Sequence, residues 1–197
     1  MAIVIVKSQE ELDRIPLDSE DTIFIAFGDE ANPAIVNNRK KIVVTFDVNI
    51  KARDSEIHAG ADAFSIELYG NSHLIIIGST SVTQIIVAHD ESVVDAFYTQ
   101  KIVAHDESVV DAFYSDGRIV AKDNSQIRCV ESTVFAYNSS KVEAYGESYI
   151  HGHDDASVVV SGNGNSIKAF DRCRVFRKNL GSGNSFVIHD DTAEIVE

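Results

Sequence analysis

The 197-residue chain holds two cysteines, two prolines, one methionine and no tryptophan. Two cysteines exclude a disulfide framework of the secreted kind. No apolar run approaches the ~20 residues of a membrane span. The opening Met1-Ala2-Ile3-Val4-Ile5-Val6-Lys7 lacks a basic leader and a long apolar core, so the expectation is a cytoplasmic protein without a signal peptide. Basic residues are scarce: 17 Lys plus Arg stand against 31 Asp plus Glu, a net charge of −14. That deficit argues against direct contact with a nucleic-acid backbone or an anionic membrane, both of which need a basic surface. Hydrophobic residues nevertheless make up 44%, enough for a core and too many for a disordered chain.

Internal repetition is the dominant signal. Ile86 to Tyr98 reads IVAHDESVVDAFY, and Ile102 to Tyr114 reads the same thirteen residues at an offset of 16. Relaxed to residue type, half of that unit is an octad: a branched residue, a variable one, a small one, then polar or aromatic residues. The branched positions read Ile86, Val94, Ile102, Val110, Ile119, Ile127, Val134, Val142, Ile150, Val159, Ile167 and Val175. Two places after each come Ala88, Ala96, Ala104, Ala112, Ala121, Cys129, Ala136, Ala144, Gly152, Ser161, Ala169 and finally Arg177, where the pattern ends. Branched-x-small has period 2, the pattern of a strand with one face buried, and helical spacing is absent. Short strands at constant spacing predict an all-β fold, a β-solenoid of about 16 residues and two octads per coil. Alternate octads should then stack. Two residues before the branched position, one column reads Ser92, Ser108, Ser125, Ser140, Ser157, Cys173. The other reads Gln84, Gln100, Gly117, Ser132, Ser148, Asn165. A serine ladder is thus expected on one face, its hydroxyls bonding carbonyls of the next coil.

Residues 1–52 do not repeat and are expected to form a small α+β cap over the first coil. Ala2–Val6 and Thr22–Phe27 read as strands, Lys41–Ala52 as a longer strand, and Ser8-Gln9-Glu10-Glu11 as a capping box opening a short helix to about Ile15. The solenoid is assigned to 53–180, with irregular coils over 53–85 and regular ones over 86–178. A closing strand or cap is assigned to 181–197.

Ser140-Lys141-Val142-Glu143-Ala144-Tyr145-Gly146, followed by Ser148-Tyr149-Ile150, resembles a group of bacterial and phage-borne proteins built from runs of the form Ser-x-Val-x-Ala-Tyr/Trp-Gly-Asn. Val6-Lys7-Ser8-Gln9-Glu10-Glu11-Leu12 is similar to the non-repeating head of such proteins. The resemblance covers about Ile86 to Lys178. It implies a β-solenoid of mobile-element origin and carries over no catalytic residue.

Several stacked surfaces are candidates for function. An acidic ridge runs through Asp90, Asp106, Asp123, Asn138, Asp154 and Asp171, flanked by Glu91, Glu107 and Asp155. Asp and Asn suit tight corners, yet unit charges ~4.8 Å apart repel by about 0.9 kcal/mol even at the dielectric of water. A ridge that tolerates this repulsion suits a basic protein partner. An outward stripe of Val87, Val103, Val120 and Phe135, rimmed by Lys101 and Arg118, suits a two-fold homodimer. His89, His105, His151 and His153 are weak metal-ligand candidates, and calcium between coils would need several oxygens at one place. Phe97, Phe113, Val130 and Tyr145 share a corner column, a ladder that also suits sugar. Cys129 and Cys173 read as buried small residues, about three coils apart and too distant for a disulfide.

No Ser-His-Asp order, phosphate loop or paired CxxC stands out, so the chain is expected to be a non-enzyme without cofactor. Paired carboxylates on adjacent coils are the remaining enzymatic option. The functional expectation is a protein-binding solenoid whose acidic surface mimics nucleic acid and inhibits a host nucleic-acid-binding defence protein. The alternatives are a structural or assembly module and a carbohydrate- or cation-binding solenoid.

Overall fold

The computed structural model describes residues 2–29, 31–39, 42–44, 48–59, 65–76, 85–98, 101–115, 117–189 and 192–196. Every ladder between the described strands is parallel, and from Thr22–Ile25 onward successive strands alternate between two sheets. Sheet A runs in spatial order Ile3–Val6, Thr22–Ile25, Ile42–Val44, Glu56–Ala59, His73–Ile76, Val93–Phe97, Val109–Phe113, Gln126–Val130, Lys141–Tyr145, Ser157–Gly162, Arg174–Leu180 and Glu194–Val196. Sheet B runs Ala34–Asn37, Asn49–Arg53, Ser65–Tyr69, Ile85–Ala88, Lys101–Ala104, Arg118–Ala121, Thr133–Ala136, Tyr149–Gly152, Ser166–Ala169 and Ser185–Ile188. The chain is therefore a β-solenoid with one strand per sheet in each coil.

The alternation of the octad sets this geometry. Val94, Val110, Ile127, Val142, Val158 and Val175 stack in sheet A, and Ile86, Ile102, Ile119, Val134, Ile150 and Ile167 in sheet B. All are buried between the sheets. The small residues two places on let the sheets close at each rim. Gly152 is the extreme case, because a Cβ there would overlap Cys173 Sγ. Full burial of each Val or Ile contributes ~1.5–3 kcal/mol, and each regular coil adds two such anchors, one from each sheet.

Both corners use left-handed backbone. From sheet B to sheet A it falls on Asn38, Asp54, Gly70, Asp90, Asp106, Asp123, Asn138, Asp154 and Asp171; on the return it falls on Tyr98, Tyr114, Glu131, Gly146, Gly162, Gly164, Asn179 and Gly183. Asp and Asn tolerate this conformation through local hydrogen bonding. Serines then close the corners. Ser92 Oγ donates to His89 O at 2.7 Å and Ser108 Oγ to His105 O at 2.7 Å. These bonds lie within one coil, whereas bonds to the next coil were expected. The same carbonyls also accept the serines' own N–H groups, at 3.2 Å for Ser92 and 3.1 Å for Ser108.

The stack departs from the expected register in three places. Ala156, Val158 and Val160 point inward, and Val159 faces out opposite Glu143 and Phe176. The strand thus sits one residue earlier than branched Val159 implied, because Asp154 takes the corner and Ala156 fills the ladder position assigned to Ser157. Second, the other corner has its own ladder. Ser115 N–H donates to Ser132 Oγ at 3.2 Å, Ser132 N–H to Ser148 Oγ at 3.3 Å and Ser148 N–H to Asn165 Oδ1 at 3.3 Å. Ser115 therefore takes the position assigned to Gly117; Gln84 and Gln100 lie outside the described residues. Third, Lys41–Ala52 is not one strand, since Ile42–Val44 and Asn49–Arg53 belong to different sheets. An unbroken alternation in sequence hides a corner.

Sheet pairing runs through the segment expected as a cap, and the helix Gln9–Asp13 is what distinguishes its first turn. Ser8 Oγ accepts from Glu11 N–H and buried Leu12 joins the core. Gln9 lies over the outer strand of sheet B: its Nε2 donates to Ile35 O and its Oε1 accepts from Ile35 N–H, both at 2.9 Å. The side-chain amide thereby replaces a neighbouring peptide at that edge. Arg39, 6% exposed, donates to Leu12 O and Ile15 O at 2.9 Å and to Pro16 O at 3.4 Å, closing the C-terminal turn of the helix. Among the described residues, no helix is long and apolar enough to cross a membrane.

Candidate functional site

The acidic ridge is an in-register column held by its own backbone. Asp90 N–H donates to Asp106 Oδ2 (3.2 Å), Asp106 N–H to Asp123 Oδ2 (3.4 Å) and Asp123 N–H to Asn138 Oδ1 (3.2 Å). Asn138 N–H continues to Asp154 Oδ2 (3.0 Å) and Asp154 N–H to Asp171 Oδ2 (3.2 Å). Each side chain thus reaches back to the corner of the preceding coil, and Asn138 shows that a neutral amide fills the same role. The side chains of Asp106, Asp123 and Asp171 remain 53%, 48% and 55% exposed. Arg172 forms a two-pronged pair with Asp155 at 2.6 and 2.7 Å, which holds that carboxyl below its ordinary range. The ridge is therefore most acidic around Asp90, Glu91, Asp106, Glu107 and Asp123.

Beside it runs a stack of flat side chains, which at Tyr69, His89, His105, Tyr137, His153 and Phe170 sits one residue before the left-handed corner residue. Tyr69, His89 and His105 stack at 4.8 and 5.1 Å between centroids. Tyr137, His153, Phe170 and His189 continue at 5.0, 4.4 and 4.3 Å, with Lys122 at the intervening position. His89 lies 3.7 Å from Glu67 and 3.8 Å from Asp106; His105 lies 3.4 Å from Asp123. His89 and His105 stack as their duplication implied, whereas Tyr69, Tyr137, Phe170 and His189 escaped notice because only their planar shape is shared. Among the described residues, no group of three His, Cys, Asp or Glu side chains is arranged to hold a metal ion.

The sheet B stripe is also in register: Val87, Val103, Val120, Phe135, His151 and Lys168 are successive partners. All but Lys168 are half-buried by neighbouring columns. The Arg118 guanidinium lies 4.3 Å over the Phe135 ring, and Lys101 sits one coil before Arg118. His151 packs 4.8 Å from Phe135, and burial, reinforced by Lys168, lowers its pKa.

On sheet A, Asp95 pairs in register with Asp111, which is followed by Arg128 and Glu143. Asp95 Oδ2 lies 2.8 Å from His73 Nε2. Asp111 lies 3.6 Å from Arg128, has one buried oxygen without a hydrogen bond, and has its pKa raised by burial. Phe97 and Phe113 stack beside these carboxylates at 5.1 Å, and Tyr98 and Tyr114 at 5.7 Å. Stacked along the solenoid axis, the rings cover one another's faces and turn their edges outward. That geometry gives little flat area to a sugar ring and favours a structural reading of the ladder. Cys129 and Cys173 are free and buried, and burial pushes both thiols up to about 12.

The chain matches no family model, no curated protein and no solved structure.

Proposed function

We propose that the chain is a non-enzymatic protein-binding solenoid whose acidic ridge docks on the nucleic-acid-binding surface of a basic protein. The supporting observation is the line of half-exposed carboxylates at Asp106, Asp123 and Asp171, held in register by backbone amides. At Asp90–Glu91 and Asp106–Glu107 each coil carries two acids. A coil rise of ~4.8 Å then gives one charge per ~2.4 Å of axis, between the ~1.7 Å of duplex DNA and the ~3.4 Å of one strand. Binding would release counterions from the basic partner and weaken steeply with salt. The sheet B stripe offers a second surface, a two-fold contact between copies centred on Val103 and Val120.

The structural-module reading has its own support, since the carboxylates of Asp90, Asp106, Asp123, Asp154 and Asp171 each accept from the corner of the preceding coil. Asp→Asn substitution separates the two, because Asn138 holds the same corner without charge. The native chain should displace labelled duplex DNA from a basic DNA-binding domain at low ionic strength and lose that ability as salt rises. The Asp106→Asn, Asp123→Asn, Asp154→Asn variant should melt at the same temperature and bind at least tenfold more weakly. Failure of the native chain to compete at low salt rejects the docking reading and leaves the structural one.

A further inference from the structure

Near the N-terminus, away from the ridge, a pocket of about 380 Å³ opens between the last turn of the Gln9–Asp13 helix and the outer strand of sheet B. That volume lies within the range of small-molecule sites. Arg39 lines it, together with Arg14 and Asn37. Arg39 is 6% exposed and has no carboxylate partner among the described residues; its contacts are the carbonyls of Leu12, Ile15 and Pro16. A buried unpaired cation is costly, and three carbonyl dipoles offset a full charge only in part. A guanidinium has five N–H donors, and these three bonds leave two uncommitted. Two donors on one planar group fit the two oxygens of a carboxylate. Apart from Asp13 the remaining lining is Ile15, Pro16, Leu17 and Ile35, with Leu17 62% exposed and Ile35 39% exposed. The opposing charge is Asp13, whose carboxylate accepts from Gln9 Nε2 at 2.8 Å, while Arg14 pairs with Glu10.

From this combination we infer that the pocket binds a small amphipathic carboxylate, its head on Arg39 and its apolar tail against Leu17 and Ile35. The ligand completes the pairing that the protein leaves open and covers apolar surface otherwise in water. This site is independent of the acidic ridge, and either assignment stands if the other fails.

Titration calorimetry on the full chain with octanoate, acetate, octan-1-ol and octylammonium tests the site. Octanoate should bind one to one, at least tenfold more tightly than acetate or octan-1-ol, and octylammonium should not bind. Leu17→Glu, an exposed change that leaves Arg39 and the helix contacts in place, should weaken octanoate at least tenfold. Arg39→Lys, checked for folding by circular dichroism, should weaken it likewise by losing the fork. Absence of octanoate binding at millimolar concentration, equal binding of octan-1-ol, or undiminished binding by Leu17→Glu overturns the assignment. Should Arg39→Lys not fold, the Leu17→Glu and ligand series still decide.

Discussion

Deleting residues 86–101 removes one of the two identical coils and should leave a shorter, folded solenoid. The new junction repeats existing contacts, except that Ile85 takes the place of Lys101 beside Arg118. Val109, Val110 and Asp111 would sit on His73, Leu74 and Ile75 as Val93, Val94 and Asp95 now do. His105 would stack on Tyr69 as His89 does, and Asp111 would take the place of Asp95 beside His73. The coil's buried anchors Ile86, Ala88, Val94 and Ala96 are lost, with the His89–His105, Phe97–Phe113 and Tyr98–Tyr114 stacks. The like-charged neighbours Asp95 and Asp111 are lost too, which offsets part of the loss. At ~0.05–0.15 kcal/mol of net stability per residue, 16 residues contribute about 1–2 kcal/mol. For a chain of this size that lowers Tm by roughly 2–8 °C, and the denaturant m-value should fall by about 8%, in proportion to the surface removed. Deleting 94–101 alone is the control. It moves every later octad to the opposite sheet, placing sheet B sequences over sheet A and left-handed corner residues out of register. Circular dichroism melts and urea titrations of both deletions decide the matter. Collapse of the longer deletion, or equal tolerance of the shorter, refutes coil-by-coil stacking.

Gly152→Ala should destabilise by about 1–3 kcal/mol through overlap with Cys173; adding Cys173→Ala should recover most of it, a coupling read from a double-mutant cycle of urea midpoints. Burial raises the pKa of Asp111 above its unfolded value, so its charged form opposes folding at neutral pH and the penalty fades as pH falls through the carboxylate range. Asp111→Asn should therefore raise Tm at pH 7 and make no difference in acid. His151 is shifted downward, so stability should fall as pH drops through the ordinary histidine range, and His151→Gln should reduce that slope in thermal melts from pH 7.5 to 5.5. Val103→Glu with Val120→Glu should give a folded monomer by light scattering if the stripe joins two copies; an unchanged mass rejects that contact.

Repetition made the solenoid legible. Identical coils at an offset of 16 specify stacking directly, and Ser92, Ser108 and Ser125 align as their spacing required. Register failed where two alternations compete. In Ser157-Val158-Val159-Val160 any branched residue can face inward, and the choice falls to the corner at Asp154. The first 50 residues were harder because their corners lack the Ala-x-Asp signature, so Ile42–Val44 and Asn49–Arg53 merged into one apparent strand. The ridge was visible as a column of Asp, but its bonds to the preceding coil depend on three-dimensional rise and leave no trace in sequence. Arg39 carried no signal at all, since a lone arginine outside the octads reads as solvated until its burial is known.

Gln9 gives the molecule a direction. By presenting an amide where a peptide group would otherwise dock, it seals one sheet at its beginning with a bond pattern that ends in a flexible side chain rather than in another strand. An incoming chain therefore finds the Ile35 N–H and C=O already taken, which removes one docking point from that edge.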